Sequence, residues 1–193
     1  MTSSGSSSSQ KPYVKPFFAP PKHQGSDRPL SDLRVNNLYI LLQLRASREH
    51  DDFNWALYMH KSGDTGGNLF QILRSGAGFQ PTNVFTATAL NSTSTIGLIR
   101  VAAINTDNVD TAVALVEQDN PILDTIPNMD EKVYVLRALE RIRAGGLMAA
   151  NTWNSLDLEQ EILVFGNNHI MGAWNGLRPR ALDHSRVCGL TSV

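Results

Sequence analysis

Cysteine is almost missing from this sequence: Cys188 stands alone among 193 residues. One thiol can make no internal disulfide and no cysteine-cluster metal site, so any core must hold without covalent help. An excess of positive charge is also missing, with 17 Lys and Arg against 18 Asp and Glu. Without that excess, counterion release cannot drive binding to a nucleic-acid backbone, and a nucleic-acid partner is not expected. No run approaches the ~20 apolar residues of a membrane span. The Ser-rich stretch from Met1 to Gln10 lacks the apolar centre of a secretory signal. These absences imply an intracellular, cytoplasmic chain without a membrane partner, and none of its motifs calls for a cofactor or a metal.

What is present suits one folded unit. Hydrophobic residues make up 41% of the chain, which is ordinary for a single core. Up to about Leu30 the composition is Ser, Pro, Lys and Gly, with Pro12, Pro16, Pro20, Pro21 and Pro29 placed where a helix or inner strand would fail. Residues 1–32 read as a disordered arm whose apolar island, Tyr13, Val14, Phe17 and Phe18, can dock on the domain or a partner. Residues 33–175 read as one globular domain and residues 176–193 as a flexible tail.

Within the domain, Leu38 to Leu44 is apolar at consecutive positions, as a central strand buried from both sides would be. Phe53 to His60 alternates Trp55, Leu57 and Met59 against Asn54, Tyr58 and His60, a second strand. The run Gly63 to Gly67 turns the chain into Asn68 to Leu73, which predicts a hairpin. Those glycines form no phosphate loop, because no Lys-Ser or Lys-Thr pair and no helix follow them. Val84 to Leu90 and Ile96 to Ile104 are further strand candidates.

After Ile104 the period changes to that of helices. Asp107 can cap a helix carrying Val109, Ala112, Val113 and Val116, ended by Asn120-Pro121. A second helix follows Pro127, and a third runs from about Ser155 to Phe165 with Gly166 as its stop. Strands followed by helices predict an α+β fold: a mostly antiparallel sheet of about five strands with about three helices packed on one face.

The succession Leu38-Tyr39-Ile40-Leu41-Leu42, Phe53-Asn54-Trp55-Ala56-Leu57, Gly67-Asn68-Leu69-Phe70-Gln71, Ile99-Arg100-Val101 and Glu131 to Leu139 resembles a group of small uncharacterised fungal proteins. Those proteins look like circularly permuted relatives of papain-like cysteine hydrolases. The resemblance covers about Val35 to His169. It implies a thiol at a helix N-terminus, stabilised as thiolate by unpaired backbone N–H groups, with an imidazole as base. It also implies that the family's two histidines correspond to Asn54 and Gln71 and its cysteine to Glu131. Neither amide can take and return a proton near neutral pH, and a carboxylate is a far weaker nucleophile than a thiolate. This chain therefore lacks the residues of a cysteine hydrolase.

Other residues do not fill the gap. His60 shares the alternating face with Asn54 but lies about 20 Å along the strand at ~3.3 Å per residue. Cys188 sits in a tail with no helix start to activate it, and reads as an unreactive thiol that can be exposed. Ser155 reads as a helix cap rather than a nucleophile. With Asn128 as N-cap, Glu131 falls at the third helical position, where a capping-box carboxylate is favoured by the helix dipole. His169 reads as a surface or helix-end imidazole, and His50, Asp51 and Asp52 as a solvated loop, since consecutive side chains diverge. Trp55 suits the core and Trp153 suits a core edge or an interface. Trp174, between small residues, either folds back or contacts a partner. Arg178, Arg180 and Arg186 make the tail mildly basic.

Three functions follow. The first is a pseudoenzyme-like binding protein that holds a small-molecule ligand or protein partner with Asn54, Gln71, Glu131, Tyr58 and Tyr134. The second is a non-thiol enzyme, a cyclase, isomerase or lyase, with Glu131 as acid or base. The third is a structural subunit anchored by the arm and Trp174.

Overall fold

Alternation of apolar residues builds the sheet. In the computed structural model, which describes residues 25–47, 49–76, 78–148 and 154–190, five consecutive strands appear: β1 (Asn37–Leu44), β2 (Phe53–Ser62), β3 (Gly66–Ser75), β4 (Gly78–Thr86) and β5 (Thr95–Ala103). Three helices follow, α1 (Val109–Glu117), α2 (Glu131–Ala144) and α3 (Ser155–Trp174), and then a sixth strand, β6 (Ala181–His184). The sheet order is β4-β3-β2-β1-β5-β6. All neighbours are antiparallel except β5 and β6, which are parallel. The architecture is the α+β arrangement expected, with one more strand and a mixed sheet.

β1 lies mid-sheet, and its first six residues are buried on both faces. One face, carrying Leu38, Ile40, Leu42, Trp55, Leu57, Met59 and Phe70, packs against the helices through Val135, Leu139, Ile142, Leu158 and Ile162. The other carries Tyr39, Leu41, Ala56, Tyr58 and Leu98, and is covered by Leu30, Leu33, Ala89 and Leu90. Among the described residues no helix is long and apolar enough to cross a membrane.

Several expectations are corrected. The fourth strand is Gly78–Thr86, an exposed edge, whereas Ala89 and Leu90 leave the sheet and plug its second face. Gly166 does not stop α3. It sits inside the helix where Phe53 presses against it, a contact at 2.4 Å from any added Cβ. Trp174 is accordingly the last residue of α3 and packs, partly buried, against the main core. Asn105 accepts a hydrogen bond from the Asp107 backbone N–H, so Asp107 is not the cap. Asn154 caps α3, one residue before Ser155.

Both chain ends reach further into the fold than composition suggests. Gly25 to Asp32, assigned above to the arm, packs on the domain: Gly25 abuts the Arg178 carbonyl, and Leu30 opens a short 3-10 turn against the second face. The segment read as a flexible tail supplies β6 and buries Arg178 and Arg180, whose guanidiniums hold the Leu90, Asn91 and Thr93 carbonyls. Burial pushes the Arg180 guanidinium down to about 10. These arginines are therefore structural donors rather than a basic patch, while Arg186 stays exposed. The island from Tyr13 to Phe18 and Trp153 lie outside the described residues.

Candidate functional site

The β2–β3 ladder begins at Ser62 and Gly66 and runs only to Leu57 and Phe70. Beyond that pair, Phe53 to Ala56 pair with β1 alone and Gln71 to Ser75 with β4 alone. The two strands splay, and the start of α2 lies across the gap. The result is an open cleft of about 370 Å³ lined by Gln43, Asn54, Trp55, Gln71, Ile72, Leu73, Arg74 and Glu131. Asn54, Gln71 and Glu131, distant in sequence, thus share one site.

Glu131 is placed there by its helix, though not through the cap expected. The N-cap is Asp130, whose carboxylate accepts from the Val133 N–H at 2.7 Å, and Glu131 is the first helical residue. Asn128 instead holds a left-handed φ of 55° in the preceding turn. The capping-box reading of Glu131 is therefore replaced by a side chain free to turn toward the sheet.

Arg45 organises this end of the molecule. Just beyond β1, its guanidinium donates to Asn54 Oδ1, to Asp52 Oδ1 at 3.0 Å and to Glu131 Oε2 at 2.7 Å. The Ser47 hydroxyl also donates to Asp52 and, with Arg45, holds that carboxyl below its usual range against the opposing effect of burial. Arg45 gave no signal in the sequence, where it is one arginine at a strand end. Its role depends on a partner 86 positions away. A second cleft, of about 330 Å³, adjoins the first through Trp55 and Glu131 and contains Lys132 and Glu159, themselves paired at 2.6 Å.

Chemically the first cleft is a hydrogen-bonding site. Arg45 occupies one oxygen of Asn54 and one of Glu131, which leaves the Asn54 amino group, the second Glu131 oxygen and the side-chain amides of Gln43 and Gln71 to face a ligand. Trp55 supplies an apolar wall, stacked on Phe53 with ring centroids 6.3 Å apart. Among the described lining residues there is no Cys, Ser or His.

The remaining predicted residues lie elsewhere. Tyr58 is fully buried on the second sheet face beside His60, its hydroxyl 3.2 Å from Nδ1, and burial raises its pKa. Tyr134 lies in the main core, its hydroxyl directed at Asn120 and its pKa pushed up to about 12 by burial. Neither tyrosine lines the cleft: Tyr58 lies where β2 is still paired to β3, opposite Leu69, and Tyr134 faces the main core. His169 is exposed on α3, its ring 4.8 Å from that of Phe165. Asp51 pairs reciprocally with Asn167, away from the partners of Asp52. Cys188 is buried rather than exposed, and burial pushes its thiol up to about 11, which keeps it protonated and unreactive at neutral pH. Comparison of the chain with protein-family models, curated proteins and solved structures finds no match.

Proposed function

We propose that this chain is a non-catalytic binding protein that takes a small polar ligand in the cleft between β2 and β3, as a degenerate relative of the permuted papain-like hydrolases it resembles. One observation carries the reading. Asn54, Gln71 and Glu131, at which that resemblance implies two imidazoles and a thiol, line a single open cleft. Its volume falls in the range of roughly 300–1,000 Å³ that suits small molecules. Three amides and one carboxylate oxygen offer donors and acceptors together, which favours a ligand rich in carbonyl, hydroxyl or N–H groups. With no imidazole or thiol among the described lining residues, recognition rather than turnover is the function they support.

The test is a screen of the full chain against small polar compounds by proton–nitrogen NMR, following the Asn54 and Gln71 side-chain amides and the Trp55 indole. Compounds that bind are expected to move these signals together and to lose affinity in an Asn54→Leu, Gln71→Leu double variant. A screen whose binders all move other signals would sink the assignment of the site. Ester or amide hydrolysis abolished by Glu131→Gln would overturn the non-catalytic reading.

A further inference from the structure

The two edges of the sheet are guarded unequally. β6 is 4 residues long and carries the exposed Asp183, and both shortness and charge discourage a further strand. β4, at the other edge, is 9 residues long and contains no Asp, Glu, Lys or Arg. Its Val84 and Phe85 are exposed, and as neighbours in a strand they project from opposite faces. Within β4 only Pro81, which lacks an N–H, works against pairing.

The ladder decides which backbone groups of β4 point outward. β3 and β4 pair without a register shift from Gly67–Thr86 to Ser75–Gly78, so alternate residues of β4 turn their N–H and C=O toward β3 and the others turn them away. The Phe79 N–H is bonded outside the sheet, to Asp124 Oδ1 at 2.8 Å, whereas the Thr86 carbonyl lies against Gly66 on the β3 side. Odd-numbered residues of β4 therefore face outward. Asp124, in the 3-10 turn Asn120–Thr125, covers the edge at Phe79. Beyond Pro81, the N–H and C=O groups of Asn83 and Phe85 meet no hydrogen-bond partner among the described residues. The Asn83 side chain is engaged within its own chain, by Asn68 at 2.6 Å and Glu117 at 2.8 Å, which leaves its backbone as the open group.

These donors and acceptors fit a second copy of the same edge. Two antiparallel copies related by a two-fold axis at Val84 set Asn83 opposite the partner's Phe85, and each such pair exchanges both N–H···O bonds. Pairing centred one residue earlier would set Pro81, which has no proton to give, against a Phe85 carbonyl. On the axis the two Val84 side chains meet as a non-hydrogen-bonded pair, the closer of the two kinds, and withdraw exposed apolar surface from water. A foreign strand needs a matching sequence of its own, whereas a second copy carries the match by symmetry.

We propose that β4 is a homodimer interface through which two sheets join edge to edge, with Val84 on the two-fold axis. The contact is small, so association is weak and depends on concentration. It is separate from the cleft between β2 and β3 and does not rest on the function assigned to that cleft.

Sedimentation of the full chain at rising concentration is expected to show a monomer–dimer equilibrium. Val84→Lys and Val84→Glu should each weaken association by at least about tenfold, because like charges then meet on the axis. Mixed in equal amounts, the two variants should associate again as a heterodimer. Val84 is exposed, so both variants are expected to keep the circular dichroism spectrum of the unaltered chain. Under mild oxidation Val84→Cys should cross-link, since its Cα atoms would lie about 4.5 Å apart. Thr82→Cys should not, because four residues of offset at ~3.4 Å each separate it from its copy. The buried Cys188 takes no part. A full chain that stays monomeric at every concentration, association unaltered in both charged variants, or no association on mixing them overturns the proposal. Cross-linking of Thr82→Cys in place of Val84→Cys overturns it as well.

Discussion

The Arg45 guanidinium lies 2.7 Å from Glu131 Oε2 and so ties the end of the central strand to the first residue of α2. The two side chains are 37% and 20% exposed, so solvent screens the attraction. Arg45→Met is expected to cost about 1 kcal/mol, the upper end for such a pair, because Asp52 and Asn54 lose the same partner. Urea denaturation at low and high salt checks this. A loss that does not shrink with added salt would assign the effect to packing of the arginine stem.

Asp119 holds a stronger position. Arg137 and Arg141 both donate to its Oδ2, and Arg141 also closes α1 by donating to the Leu115 and Val116 carbonyls. Burial raises the Asp119 carboxyl, but the two guanidiniums outweigh it and hold the group below its usual range. A depressed carboxylate stabilises the fold above its unfolded value of about 3.9, and that contribution is lost as pH falls through the folded value. Asp119→Asn is expected to cost about 2–3 kcal/mol at pH 7, less than a fully buried pair because Arg137 is 43% exposed. The deficit should narrow toward pH 3 in denaturant titrations.

Gly166 lies within α3 where Ala would ordinarily gain about 1 kcal/mol of helix propensity. Here an added Cβ would meet Phe53 at 2.4 Å and Leu42 at 3.0 Å, and Phe53 is fixed by its stacking on Trp55. Overpacking costs about 1–3 kcal/mol, so Gly166→Ala is expected to lower the melting temperature despite the propensity gain. Phe53→Leu in the same chain should restore part of the loss. A melting temperature raised by Gly166→Ala alone would contradict the close contact.

His60 is fully buried, with Nε2 lacking a hydrogen-bond partner among the described residues, and burial lowers its pKa. The unfolded chain then binds a proton that the folded chain resists. The resulting stability is present above the unfolded value of about 6.5 and is lost as pH falls toward the folded value. Between pH 7.5 and 5.5 the native protein should lose about 1 kcal/mol more than His60→Gln, since one pH unit is worth at most about 1.4 kcal/mol per proton. Equal losses in the two proteins would remove His60 as the source.

The sequence revealed strands wherever burial left a period. β1, β2, β3 and β5 are readable because Leu38 to Leu44, Phe53 to His60, Asn68 to Leu73 and Ile96 to Ile104 must hide one face or both. β4 was displaced toward Leu90 because none of its true residues is buried and they carry no apolar period, whereas Ala89 and Leu90 are buried outside any strand. β6 was invisible for another reason. Four residues, Ala181 to His184, are too few to show alternation, and they become a strand only because β5 offers an edge. The gathering of Asn54, Gln71 and Glu131 was anticipated through the resemblance. Arg45 was not, since an arginine's role depends on which distant groups the fold places beside it.

The parallel pairing of β5 with β6 sets an order of events at the ribosome. β1 to β5 can assemble by antiparallel pairing as they emerge, but the far edge of β5 stays bare through the synthesis of all three helices. Until Ala181 to His184 clear the exit tunnel, the nascent chain carries an open, apolar strand edge and a loop from Leu90 to Thr93 without the arginines that clamp it. Such an edge recruits other strands. Stalling translation while Ala181 to His184 are still inside the tunnel should therefore leave a chain that holdase chaperones capture, and stalling on a C-terminal extension long enough to bring them out should release it.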